Sequence, residues 1–177
     1  MMDREYIYGL REQLRSQLPE KRFQHSLGVE FTAAALAMRY GYDVEKAEIA
    51  GLMHDCAKKL HDETPVSHAV YGPETARELY GIEDEEILQA IRWHTTGRAD
   101  MSLLEKILYV ADFIEPSRAG FPELPIAREW AFRDLTYSVY LIAEMTLAYL
   151  KDLGKEIYPE TVECYQFLKE NGNHDEQ

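Results

Sequence analysis

Four of the six histidines, His25, His54, His68 and His94, stand in otherwise apolar helical contexts, whereas His61 looks exposed and His174 lies in a charged tail. Two carboxylates join the four: Asp55, directly after His54 in GLMHDCAKKL (51–60), and Asp112 in ILYVADFIEP. A carboxylate taken out of water without a counter-charge is costly, so packing alone explains this set poorly. One bound cation would resolve the cost for all of them together. Imidazole and carboxylate donors suit iron, manganese, zinc or nickel, and the lack of thiolates speaks against a closed structural zinc site. Open coordination positions mean bound water.

Neighbouring residues on a helix point about 100° apart, so His54 and Asp55 can grip a metal only at a helix edge. Successive members of the set, His25, His54, His68, His94 and Asp112, are separated by 29, 14, 26 and 18 positions, enough to place each on a new helix. The surrounding pattern agrees. Apolar residues recur at helical spacing nearly everywhere, and no alternating run is bounded by hairpin turns, so the expected fold is all-α, a helical bundle. Helices are expected over 3–18, 20–40, 43–60, 67–80, 84–96, 101–115, 123–151 and 159–170. Pro19, Gly41, Asp43 and Gly81 supply the stop and start signals. HTTGRADMS and EPSRAGFPELP read as loops, the second able to move. The tail ENGNHDEQ is expected to fray, with His174 merely solvated.

With 177 residues, 46% of them hydrophobic, the chain suffices for one domain spanning 1–177. Lys and Arg total 19 against 32 Asp and Glu, a net charge of -13 that disfavours nucleic acid and anionic membranes as partners. Any anionic substrate must therefore be held by metal ions or a few focused cations. Cys56 and Cys164 have no metal-ligand spacing, and no apolar run is long enough for a membrane span or a signal peptide. The expectation is a soluble, cytoplasmic protein. The run LTYSVYLIAEMTLAYL exceeds the need of one surface helix and suggests a possible homodimer face.

The order His25, His54-Asp55, Asp112 resembles the H…HD…D signature of HD-domain metal-dependent phosphohydrolases. Further stretches narrow it: RFQHSLGV (22–29), AGLMHDCAK (50–58), HAVYGPETARELYG (68–81), AIRWHTTG (90–97) and MSLLEKILYVADFIEPSR (101–118). In that order they are similar to the bacterial YqeK family of symmetrical bis(5'-nucleosyl)-tetraphosphatases, over about residues 20–170. The resemblance implies an HD-domain bundle that splits diadenosine tetraphosphate into two ADP. It implies His25, His54, Asp55 and Asp112 as metal ligands, holding iron. His68 and His94 match positions that complete a second metal site in related HD domains, Asp55 then bridging two ions; the alternative is one metal, with His68 and His94 on phosphate.

Lys58 lies three residues after Asp55 and four after His54, hence on one helix flank, where it can neutralise a phosphate oxygen. Arg118, with its planar fork, is the expected phosphate clamp. A metal lowers the pKa of its water, for zinc from about 15.7 to about 7, and polarises the phosphoryl oxygen. Asp55 or His94 would take the proton. Two other readings stay open: an HD nucleotidase or phosphodiesterase on another nucleotide, and a catalytically silent nucleotide-binding signalling domain, whose expected mark, a lost ligand, is not found in this sequence.

Overall fold

Periodic apolar positions become helices along most of residues 4–172, the part of the chain described by the computed structural model. Ten helices, and no strand, occur among these residues: α1 (Arg4–Gln17), α2 (Glu20–Tyr40), α3 (Val44–Met53), α4 (Ser67–Val70), α5 (Gly72–Tyr80), α6 (Glu85–Trp93), α7 (Leu103–Ile114), α8 (Leu124–Ala131), α9 (Leu135–Asp152) and α10 (Pro159–Asn171). The all-α expectation holds. Residue 3, expected to open the first helix, and His174 lie outside the described residues.

Three expected helices are divided. The segment 43–60 leaves the α-helix after Met53, where i→i−3 bonds such as Cys56 N–H to Met53 O (2.9 Å) and Lys58 N–H to Asp55 O (2.9 Å) replace helical ones. Apolar spacing could not reveal this, because Cys56 and Ala57 remain buried after the break. The segment 67–80 divides at Tyr71, ahead of Gly72-Pro73, and 123–151 divides at Phe132–Asp134. Asp134 starts α9 as an N-cap, its side chain accepting from the Tyr137 N–H.

Helix α7 is the hub, packing against α2, α3, α6, α8 and α9, with Ile107, Leu108, Val110 and Ala111 fully enclosed. The most extensive helix pair is α2 with α3. Gly51 makes their approach possible, since a Cβ there would stand 2.7 Å from Glu30 Cα. Much of the apolar run on α9 is covered within the chain by α7, α8 and α10, leaving Tyr149 and Leu153 at its C-terminal end open to solvent. No helix among the described residues is long and apolar enough to cross a membrane. Cys56 and Cys164 are free and buried, and burial pushes the Cys56 thiol up to about 12 and that of Cys164 to about 11. Both are unreactive at neutral pH.

Candidate metal centre

Five elements deliver the six candidate ligands. His25 stands on α2, His54 and Asp55 where α3 ends, His68 on α4, His94 just past α6, and Asp112 on α7. His54, Asp55, His68 and His94 are at most 3% exposed, while Asp112 keeps a narrow opening to solvent. The four implied ligands therefore come from three places in the chain, the end of α3 supplying two.

Three of the imidazoles are oriented from behind. Nδ1 of His54 faces Gly51 O at 2.7 Å, Nδ1 of His94 faces Ile91 O at 2.7 Å, and Nδ1 of His25 faces Glu115 Oε1 at 2.9 Å. These partners accept only, so each Nδ1 donates, and a ring that is neutral turns an Nε2 lone pair inward. Such outer-shell bonding fixes a metal-ligating imidazole. His25 Nε2 and His54 Nε2 lie 3.2 Å apart, with Asp112 Oδ1 3.1 Å from the first and Asp55 Oδ2 3.5 Å from the second. Two lone pairs at that separation repel unless a cation or proton lies against them. Without a metal a proton serves: burial opposes charging His25, but Asp112 and Glu115 outweigh it and raise its pKa.

The second histidine pair is balanced differently. His68 Nε2 sits 3.2 Å from His94 Nε2 and 3.3 Å from Asp55 Oδ1, but its Nδ1 receives a bond from Lys58 Nζ at 3.1 Å. His68 therefore carries its proton on Nε2 and donates it inward. Burial and the neighbouring His94 push its pKa down to about 3, so it stays neutral. Candidate ligand atoms fall within 4.8 Å of one another in the groups His25-His54-Asp55 and Asp55-His68-His94, and a third group joins His54, His94 and Asp112. Asp55 belongs to both of the first two. This nitrogen and oxygen set fits a divalent first-row metal, and the His25–His54 side is where a cation is needed.

Burial alone would protonate the two carboxylates. Instead His54 and His94 hold Asp55 well below the usual carboxylate range, and His25, His54 and Arg118 do the same for Asp112. Both remain anionic and ready to ligate. Lys58 reaches the site as expected, although from a tight turn rather than a helix flank, and burial lowers its pKa. Arg118 binds Asp112 through Nη2 at 2.6 Å and the Asp112 carbonyl through Nε at 2.8 Å, leaving Nη1 directed elsewhere.

Three participants escape a search for histidines and aspartates. Arg22 Nη1 lies 2.8 Å from Asp55 Oδ2. Thr95 Oγ1 lies 3.1 Å from His94 Nε2 and 3.3 Å from His68 Nε2. Glu115, 1% exposed, orients His25 and is itself held by the Ser117 N–H at 2.7 Å and hydroxyl at 2.6 Å. Gly28 makes room for it: a Cβ there would collide with Glu115 Oε2. The available signal was position, for Arg22 and Gly28 flank His25 by three residues and Glu115 follows Asp112 by three.

The family described as the HD domain matches residues 22–117, more than half of the chain and every candidate ligand. The chain belongs to the HD-domain family. Among curated relatives, the symmetrical bis(5'-nucleosyl)-tetraphosphatase of Halalkalibacterium halodurans is 41% identical over 174 residues, covering 88% of this chain and 92% of its own. The Bacillus subtilis protein of the same name is 38% identical, covering 88% and 93%. A solved structure described as a predicted HD superfamily hydrolase involved in NAD metabolism, from Clostridium acetobutylicum, superposes with a TM-score of 0.86 at 37% identity. It covers 96% of this chain and 98% of that one.

Proposed function

We propose that this HD domain is a metal-dependent hydrolase that cuts diadenosine tetraphosphate symmetrically into two ADP. The observation that carries the reading is the His25–His54 pair, two Nε2 atoms 3.2 Å apart beside Asp55 and Asp112. Relatives named for that activity supply the substrate. His25, His54, Asp55 and Asp112 would hold a divalent cation, which would supply water activation at neutral pH and polarisation of a phosphoryl oxygen. We assign iron to it from the resemblance, with manganese, zinc and nickel compatible with the same donors, and a second ion at His68 and His94 would displace the His68 proton.

The remaining work falls to side chains. Three cations, Arg22, Lys58 and Arg118, concentrate positive charge at the centre of a chain of net charge -13. Lys58 donates one N–H to His68 and has two left for phosphate oxygens; Arg118 offers Nη1. Water oxygen joins one middle phosphorus, the bridging bond to its far side breaks, and ADP departs as an anion steadied by these cations. Asp55, held well below the carboxylate range, is a weak proton acceptor and serves better as ligand. His94 Nε2, 3.7 Å from Asp55 Oδ1, takes the proton from water.

A silent signalling domain would have lost a ligand, and all six candidate positions here retain theirs. The buried free thiols and the lack of a membrane-crossing helix among the described residues support our assignment to the cytoplasm. Elemental analysis of purified protein should find a first-row transition metal, and chromatography of the reaction should find ADP alone. ATP and AMP in equal amounts would overturn the symmetrical assignment even with the metal in place.

A further inference from the structure

The metal centre accounts for the phosphates of a dinucleotide and leaves its bases without a seat. A purine requires a flat apolar surface no farther from that centre than a ribose and a diphosphate can span. Two contacts matter between the turn after α3 and the segment of α4 with its C-cap Tyr71. At the first contact Lys58 Nζ meets His68 Nδ1 at 3.1 Å. Three residues further along both segments, His61 stacks on Tyr71, with ring centroids 4.2 Å apart and planes 23° apart. The two contacts form successive rungs, three residues apart on each segment.

The outer rung has the features of a platform. His61 Nδ1 is sheltered from solvent and has no hydrogen-bond partner, Glu63 Oε1 standing 3.7 Å away, so the imidazole is positioned by stacking. Tyr71 has one face backed by His61 and still exposes 43% of its surface. Val70, the chain neighbour of Tyr71, is exposed too. Trp93, next to His94, is another aromatic near the centre, but Arg92 lies 4.1 Å over its ring and Gln89 holds its Nε1.

We propose that Tyr71, backed by His61, seats a nucleobase of the substrate, the attached diphosphate running past Lys58 to the metal centre. This rests on the nucleotide reading above. Stacking reads the face of a base and not its edge, so the seat accepts either purine.

Calorimetry on the metal-loaded protein tests it with two probes, ADP and inorganic pyrophosphate. Tyr71→Ala should weaken ADP on the order of tenfold, as expected for one lost base–aromatic stack, and leave pyrophosphate affinity and metal content unchanged. Tyr71→Phe should bind ADP like the parent, and His61→Ala should weaken ADP by a smaller factor. Unchanged ADP affinity in Tyr71→Ala, or equal loss for ADP and pyrophosphate, would overturn the seat while leaving the hydrolase reading intact. Parent protein that binds neither probe would overturn both.

Discussion

Glu30 and His25 stand five residues apart on α2, and the charge around them is balanced in different ways. Glu30 has no exposed surface and takes Arg11 of α1 in a fork, Nε at 3.0 Å and Nη2 at 2.6 Å to one oxygen. Glu48 on α3 takes Arg4 Nη1 at 2.7 and 2.9 Å. Each carboxylate there has its guanidinium, so the account closes within the chain. Around His25, Asp55 and Asp112 also meet guanidiniums, Arg22 and Arg118, but imidazole lone pairs face one another as well, so the account closes only with a further cation or a proton. The pKa directions separate the regions as well. At Glu30 burial outweighs Arg11 and raises the carboxyl, whereas at Asp55 and Asp112 the histidines outweigh burial and lower it. Buried charge by itself does not mark a functional site; buried donors left converging on one point do.

The largest expected effect follows from removing a donor at that point. Asp112→Ala should abolish both metal binding and turnover, while circular dichroism shows near-native helix content, because α7 is packed by residues independent of the site. A variant that kept metal and activity would undo the ligand set. Next comes the other region. Arg11→Ala strands Glu30 in a fully buried position and should cost about 3–5 kcal/mol in denaturant unfolding. Its metal content and its activity per folded molecule should be unchanged, since Arg11 touches no ligand.

Much of this contrast was legible in the sequence, and some was not. Histidines in apolar helical settings identify themselves, and Asp43, Gly41 and Gly81 announce the ends they make. Asp43 caps α3 by accepting from the Lys46 N–H at 3.1 Å, and both glycines adopt left-handed backbones at helix C-termini. The end of α3 was hidden, because burial continues through a tight turn. That turn gives His54 and Asp55 their convergence: His54 Nδ1 reaches back to Gly51 O within the last helical turn, and Asp55 faces His68 and His94 across it. Arg22 and Glu115 were hidden for another reason. Charged residues usually sit in water, and only tertiary packing shows that Glu115 lies behind His25.

Metal removal compares the two regions in one protein. A ligand that binds only the folded state stabilises it by about 2.7 kcal/mol at one hundred times its dissociation constant, which is roughly 5–10 °C in melting temperature for a chain of this length. Chelation should lower the melting temperature of the parent and of Arg11→Ala by similar amounts, as the sites are separate. It should leave Asp112→Ala unmoved. An equal shift in all three would show that the chelator acts away from the centre.

The smallest effect is the sharpest control, because Arg22→Ala repeats the Arg11 experiment on the other side of the comparison. Each arginine pairs with a carboxylate at most 4% exposed, yet the Arg22 side chain is 39% exposed and that of Arg11 only 15%. Loss of Arg11 leaves Glu30 without a cation. Loss of Arg22 leaves Asp55 with His54, His68 and His94 around it and with the metal it ligates. A half-solvated pair is screened by water, so Arg22→Ala should cost less than about 1 kcal/mol in stability. The metal should stay bound, and turnover should fall because a cation is missing from the phosphate side of Asp55. Denaturant unfolding and elemental analysis of the two variants decide the matter. If Arg22→Ala were as destabilising as Arg11→Ala, Asp55 would depend on that guanidinium as Glu30 depends on its own, and the difference drawn between the regions would not hold.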